Sequence, residues 1–342
     1  MVARGSRERH SRPILLRRYI VTLTRRFLTA LLAMFLAVTT ITTLPARADD
    51  SNAASVKAAA DWIAEAWKKD PGKFSISRYT ADGIMALSAA EAHPETVKEM
   101  ITRLRADSGK ALKVDQLAKI IMAADAAGQN PRTFLGCGRD LITELKTVME
   151  ADRAKASRFY APFLIAIALS RSGEPVPDWI VKAMTDNQQE GFGYYSHGTF
   201  KADPDYTGIG ISAMNLVAMN DSNDPDTQKK ASTSMGDAIS WAENPANQKT
   251  DAAGNHYWAT YSSANSTGMV ASALAETGRN VESPVAYLKS QQEKTGVGAW
   301  ASKHDGTEAN MMATTQAIMA PAGKGYGTIR STQVPELQPC AR

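Results

Sequence analysis

The chain has 342 residues and a formal net charge of +4, yet nine Arg and one Glu fall within residues 1–48. The other 294 residues carry 30 basic and 34 acidic side chains, a formal charge of −4. A mildly acidic domain without a basic stripe excludes nucleic acid as a partner, because neutralising phosphates needs clustered Lys and Arg. Its two cysteines, Cys137 and Cys340, cannot build a structural zinc site, and no His-rich spacing supplies other ligands, so no metal is expected.

In chain order, residues 1–26 hold eight Arg and no Lys or Asp, residues 27–44 are apolar and rich in Thr, and Ala46-Arg47-Ala48 follows. A basic region, an apolar region and a small-x-small site predict a secretory signal peptide over residues 1–48. The alternative, an uncleaved anchor, sits at the lower limit for a span. Thr24-Arg25-Arg26-Phe27-Leu28 resembles a twin-arginine motif without its spacer, which leaves the export route open. Either way residue 49 onward faces outward, extracellular or attached to the cell envelope. In an oxidising compartment Cys137 and Cys340 are expected to pair; two unpaired thiols are the alternative.

Beyond residue 52 almost everything reads as helix. Periodicity and breakers place helices at 53–69, 77–90, 95–105, 112–127, 139–152, 157–170, 178–185, 205–219, 228–243, 265–276, 284–292 and 308–320. Asp70-Pro71-Gly72 stops the first, and Pro94 sits in the first turn of the third, where proline costs least. The even-numbered helices are rich in Ala, Gly, Ser, Met and Leu, whereas the odd-numbered ones carry charge on one face. A helix apolar all round is buried and a one-sided helix lies on the surface, so the alternation predicts two layers. Aligning the even-numbered helices places Thr80, Asp115, Tyr160, Thr207, Thr267 and Thr314 at similar depth, 35, 45, 47, 60 and 47 residues apart. Periods in this range mark repeats that bury their apolar faces against one another. With no polar end-caps visible, six hairpins closing on themselves are favoured over an open solenoid. The expected fold is therefore all-α, an α6/α6 toroid with an inner and an outer ring over residues 49–330, followed by a tail at 331–342.

Tyr287-Leu288-Lys289-Ser290-Gln291-Gln292-Glu293-Lys294-Thr295-Gly296-Val297-Gly298-Ala299-Trp300 resembles the QW motif of squalene and oxidosqualene cyclases. Gln188-Gln189-Glu190-Gly191-Phe192-Gly193-Tyr194 is similar to a shorter copy. The Gln amide can bond backbone at a helix end, glycine permits the turn, and the aromatic ring packs over the helix stem. The resemblance reaches the superfamily that holds triterpene cyclases, protein prenyltransferase β subunits, complement thioester domains and the cobalamin-binding domain of intrinsic factor and transcobalamin. It implies the toroid fold, and because members do unrelated things on one scaffold it implies little about activity.

The chemistry of those relatives transfers poorly. Triterpene cyclases use a D-x-D-D acid motif, and the matching segment reads Asp203-Pro204-Asp205-Tyr206. Asp205 is the alternative catalytic acid; the simpler reading makes it a helix N-cap, as with Asn265 and Asn310. A prenyltransferase zinc set and a thioester Cys-Gly-Glu-Gln are missing, and His256 and His304 stand alone. The closest likeness is to the cobalamin carriers, through Asn265-Ser266-Thr267-Gly268 and Glu308-Ala309-Asn310 with the later Gly323-Lys324-Gly325-Tyr326. The expectation is an exported binding protein rather than an enzyme. It would take a large, partly apolar ligand, a corrinoid or an isoprenoid, at the funnel mouth, with no cofactor required. The ligand-binding residues proposed are Tyr79, Asp82, Asp115, Tyr160, Tyr206, Trp258, Tyr261, Asn265 and Asn310, with Tyr194, Tyr195, His197 and Tyr257 in adjoining loops. A divergent cyclase using Asp205 and an envelope protein-interaction module are the alternatives, and a membrane-side transporter is a candidate partner.

Overall fold

The computed structural model describes residues 50–75, 79–108, 112–136 and 138–337. The signal peptide assigned to 1–48 and the pairing of Cys137 with Cys340 lie outside the described residues. The described chain is predominantly α-helical, and none of its helices is long and apolar enough to cross a membrane. In order the helices are α1 (Asp50–Lys69), α2 (Thr80–Ala89), α3 (Pro94–Asp107), α4 (Val114–Ala126), α5 (Leu141–Ala151), the single turn α6 (Arg153–Ala156) and α7 (Ala161–Arg171). They continue with α8 (Asp178–Thr185), α9 (Pro204–Met219), α10 (Pro225–Glu243), α11 (Ser263–Glu276), α12 (Glu282–Thr295) and α13 (Met311–Ala317).

Small-residue composition and burial coincide. Every residue of α2 and the first twelve of α11 are buried, while α3 and α10 bury only one stripe. Fully burying an Ile or Leu such as Ile84, Leu87 or Ile121 contributes roughly 1.5–3 kcal/mol. These central helices touch in sequence: α2 packs on α4, α4 on α7, α7 on α9, α9 on α11, α11 on α13, and α13 on α2. The closest approaches occur at glycines. A Cβ on Gly208 would lie 2.6 Å from the Met269 carbonyl carbon, and one on Gly268 would lie 2.5 Å from Ala317 Cα, so only glycine lets α9, α11 and α13 meet backbone to backbone.

Short strands occupy two of the connections. β1 (Gln188–Gln189), β2 (Gly191–Ser196) and β3 (Thr199–Ala202) form an antiparallel three-stranded sheet, and β4 (Lys249–Thr250) pairs with β5 (His256–Tyr257). The β2–β3 hairpin is absent from the sequence-based reading, which took its first strand as a copy of the glutamine-aromatic motif. Its turn is His197-Gly198, both left-handed at φ 50° and 80°, the geometry that closes a two-residue hairpin with the right twist.

A recurrent tie joins each such connection to the helix it feeds. Thr80 Oγ1 donates to the Phe74 carbonyl at 2.8 Å, Thr207 to Phe192 at 3.1 Å, Thr267 to Trp258 at 3.1 Å and Thr314 to Trp300 at 3.4 Å. The Trp258 and Trp300 amides return a bond to the same hydroxyls at 3.1 and 3.0 Å. Both indole N–H groups reach back to the preceding helix, to Ala242 on α10 and Leu288 on α12. The structural core of the repeat is thus one buried threonine holding one buried aromatic.

Helix starts correct one expectation. Asp203, and not Asp205, caps α9 by accepting from the amides of Asp205 and Tyr206; Ser262, and not Asn265, caps α11. Pro204 and Ser263 each open a helix ahead of the residue expected to cap it, which frees both Asp205 and Asn265 for tertiary bonds. Asn310 does cap α13, accepting from Ala313 at 3.0 Å.

Candidate functional site

Ties between neighbouring central helices set their direction. Asp82 meets Lys119, Tyr160 meets Tyr206, Asp205 meets Ser266 and Asn265 meets Gln316, all within the first two turns. Nearer the other ends Asp125 meets Arg171 and Ser212 meets Glu276. Neighbours therefore run parallel, and their N-terminal ends share one face. The polar side chains that make these ties are Asp82 from α2, Lys119 from α4, Tyr160 before α7, Asp205 from α9, Asn265 and Ser266 from α11, and Gln316 from α13.

The bonds among them are specific. Lys119 Nζ lies 3.0 Å from both Asp82 oxygens, and Ser266 Oγ donates to Asp205 at 2.6 Å. Asn265 donates to Gln316 and accepts from Ser262. Tyr326, also buried, bonds to Gln316 and senses the charges of Asp82, Asp205 and Glu276. Its segment is strapped down: Glu276 accepts from the Gly327 and Thr328 amides, and Arg171 donates to the Tyr326 and Ile329 carbonyls and pairs with Asp125.

Burial shapes the acid–base character. It pushes the Asp205 carboxyl up to about 6, aided by Asp203 and opposed by the Ser266 bond. Burial likewise pushes the Tyr206 hydroxyl up to about 12 and raises those of Tyr160 and Tyr326 well above the usual range, with neighbouring carboxylates adding to it.

Tyrosines lead from this polar centre to the surface. Tyr160 stacks on Tyr206 with ring centroids 4.1 Å apart, Tyr194 lies 5.7 Å from Tyr206, and Tyr194 is hydrogen-bonded to Tyr261, which is 88% exposed. Phe159, 68% exposed, and Tyr195, 55% exposed, stand on the same face in the connections before α7 and α9. Phe159 also holds a left-handed φ of 53°, costly for a bulky residue, with the Arg158 guanidinium 5.2 Å above its ring.

The expected site residues divide accordingly. Asp82, Tyr160, Tyr206, Tyr261 and Asn265 converge with Tyr194 on this face. Asp115 stands exposed in the first turn of α4, and Tyr79 packs edge-on against Phe74 at 6.5 Å. Trp258 is core, fixed by the threonine tie, and Asn310 is a cap. Tyr257 stacks on Tyr287 at 4.2 Å, beside His304, whose ring bonds to Tyr287 and Ser263. Sequence reasoning missed Lys119, Ser266, Gln316 and Tyr326 as site members; the first three sit one or two turns into small-residue helices, a position that periodicity alone marks as core.

Two hollows are present, and neither is lined by the residues of this face. One of about 600 Å³ lies against the C-terminal ends of α4 and α7, but its arginines are committed, Arg132 to Asp140 and Glu174, Arg171 and Arg330 to Asp125. The other, about 800 Å³, is a groove between α8 and α10 around Trp179, Lys229 and Lys230. Among the described residues no group of three or more His, Cys, Asp or Glu side chains is placed to hold a metal ion. No family model matches the sequence, and no curated protein matches it significantly.

Proposed function

We propose that the chain is an exported binding protein of α6/α6 toroid architecture, and that it takes a large, partly apolar ligand on the face made by the N-terminal ends of its inner helices. The architecture is supported by the helix contacts that start at α2 and return to it through α13. The ligand face rests on one observation. Of the six exposed large hydrophobic side chains among the described residues, five (Phe159, Tyr195, Tyr261, Val297 and Met312) stand in the connections or first turns at that end, and only Met219 does not. Exposed apolar groups gathered over a polar centre mark a surface awaiting a partner. Tyr326 is buried and bonded to Gln316, so in this reading the ligand seats on the face. A corrinoid and an isoprenoid are the first ligands to try.

The test is a thermal-shift and absorbance titration of the mature protein with cobalamin and with a polyprenol. A ligand that binds only the native state raises the melting temperature by mass action. The triple variant Phe159→Ala, Tyr195→Ala, Tyr261→Ala should keep its own melting temperature, because all three side chains are exposed, and lose the shift. A shift that survives in the triple variant would place binding elsewhere. The Asp205 carboxyl, raised to about 6, favours a second reading as a general acid. Turnover of squalene or a polyprenyl diphosphate by the wild type, lost in Asp205→Asn, would establish it; equal turnover in both would exclude it.

A further inference from the structure

We propose that residues 323–337 form a latch that opens as one unit and controls the order of the rim around Tyr261; as regulation of a ligand site, this rests on the N-terminal face being that site. Among the described residues no helix or strand follows Ala317, so the backbone of this segment is satisfied largely by the helix ends it crosses. Glu276, the last residue of α11, accepts from the Gly327 and Thr328 amides, and Arg171, the last of α7, donates to the Tyr326 and Ile329 carbonyls. The Ser331 amide donates to the Ala126 carbonyl at the end of α4 at 2.7 Å. Gln129 donates to the Pro335 carbonyl at 3.2 Å and accepts from the Leu337 amide at 2.7 Å, and Gln333 reaches the Glu91 carbonyl just past α2 at 2.8 Å.

Contacts strung along one irregular stretch of backbone are lost together, which is how a cooperative opening unit behaves. Two features make this unit easier to open than a central helix. Its polar anchors Glu276, Asp125 and Arg171 are charges withdrawn from water, and part of that desolvation cost is recovered when the segment lifts and water returns. The hollow of about 600 Å³ is lined by residues 330–336 together with the ends of α4 and α7, so this stretch lacks the packed floor of a core element. Gly325 is the position that lets the latch close, since a Cβ there would collide with the Glu276 side chain.

The latch is joined to the rim through α11. Glu276 ends that helix, and its first turn carries Asn265, bonded to Gln316 of α13, and Ser266, bonded to Asp205 of α9. Asn265 also accepts from Ser262, the residue that caps α11 and directly follows Tyr261. Between these ends the helix has little slack, because Gly268 meets Ala317 and Gly208 meets Met269 backbone to backbone, so α11 moves as a rod. Tyr326 supplies a second route from the segment itself, buried and bonded to Gln316. When the latch lifts, Glu276 loses its amide partners, and the first-turn bonds that position Ser262 and Tyr261 loosen with it.

Residue-resolved amide hydrogen exchange on the whole protein tests the proposal. In the wild type the amides of Gly327, Thr328, Ser331 and Leu337 should share one opening equilibrium, larger than that of α9. Gly325→Ala should raise it by about tenfold, and exchange across residues 262–267 and 311–316 should rise with it while α5 stays unchanged. Arg330→Gln, at a side chain that is 66% exposed, removes one bond to Asp125 and should give the same pattern at smaller amplitude. It decides the matter if Gly325→Ala loosens α5 as well and is merely unfolding. Latch amides that open independently of one another overturn the proposal, as does a latch that opens while residues 262–267 keep wild-type protection. The readout needs no ligand. Coupled exchange in a protein that neither cobalamin nor a polyprenol stabilises would keep the latch and remove the ligand face, whereas binding with uncoupled exchange would do the reverse.

Discussion

At the scale of single residues the molecule turns on Asp205. Once Asp203 takes the capping role, Asp205 becomes the second residue of α9, its carboxyl directed to Ser266. The folded protein holds it at about 6, above the ordinary carboxylate value, so between pH 4 and 6 the native state keeps a proton that the unfolded chain has released. Its own contribution to stability falls as pH rises through that window and then stays level, the reverse of the usual carboxylate. Asp205→Asn retains an acceptor for Ser266 and never ionises. It should therefore unfold at a higher temperature than wild type at pH 7.5, by up to about 3 kcal/mol for a shift of roughly two units, and the two proteins should converge near pH 4. Melting curves across pH 4–8 measure this; a variant no more stable than wild type at pH 7.5 counts against a strained, ionised Asp205.

At the scale of elements, the threonine ties explain what the sequence disclosed and what it hid. Thr80, Thr207, Thr267 and Thr314 align because each hydroxyl does the same job, fixing a buried aromatic to the helix it precedes. The aromatics themselves stand 6, 15, 9 and 14 residues upstream, so no fixed period reveals them. The alternation of charged and small-residue helices was readable because burial on all sides and burial on one side demand different compositions. The β2–β3 hairpin was not, since Gly191-Phe192-Gly193 serves both a glutamine-aromatic turn and a strand. The site was half legible: tyrosines at helix starts could be picked out, but Lys119, Gln316 and Tyr326 reach the centre only through contacts between distant segments. Thr267→Val keeps the volume of the side chain and deprives the buried Trp258 amide and carbonyl of their partner. It should cost about 1–3 kcal/mol, against a change within about 0.5 kcal/mol for Thr307→Val on an exposed loop, both read from denaturant midpoints at unchanged slope.

At the scale of the whole molecule the question is whether the two ends of the helical array support one another. In an open array each unit contacts only its neighbours, and a lesion at one end leaves the other end untouched. Here Gln292 on α12 bonds to the Gly298 carbonyl within its own loop and to the Ser55 carbonyl of α1 at 2.9 Å, while Ser55 Oγ donates back to the Gln292 side chain at 2.5 Å. A Cβ on Gly298 would press on Ala58 of α1 at 2.8 Å, so loop and helix are in close contact. The glutamine that a repeat uses to finish its own turn thus also holds the first helix to the last hairpin, 237 residues away. Gln292→Ala removes both sets of bonds and leaves two backbone carbonyls and a serine hydroxyl without their partner, a loss of about 2 kcal/mol. If the helices close on themselves, amide hydrogen exchange should quicken in α1 and in α12 to α13 together, before α7 responds. Faster exchange confined to α12 and α13, with α1 unchanged, is the behaviour of an open array and would refute the closed arrangement on which the ligand face depends.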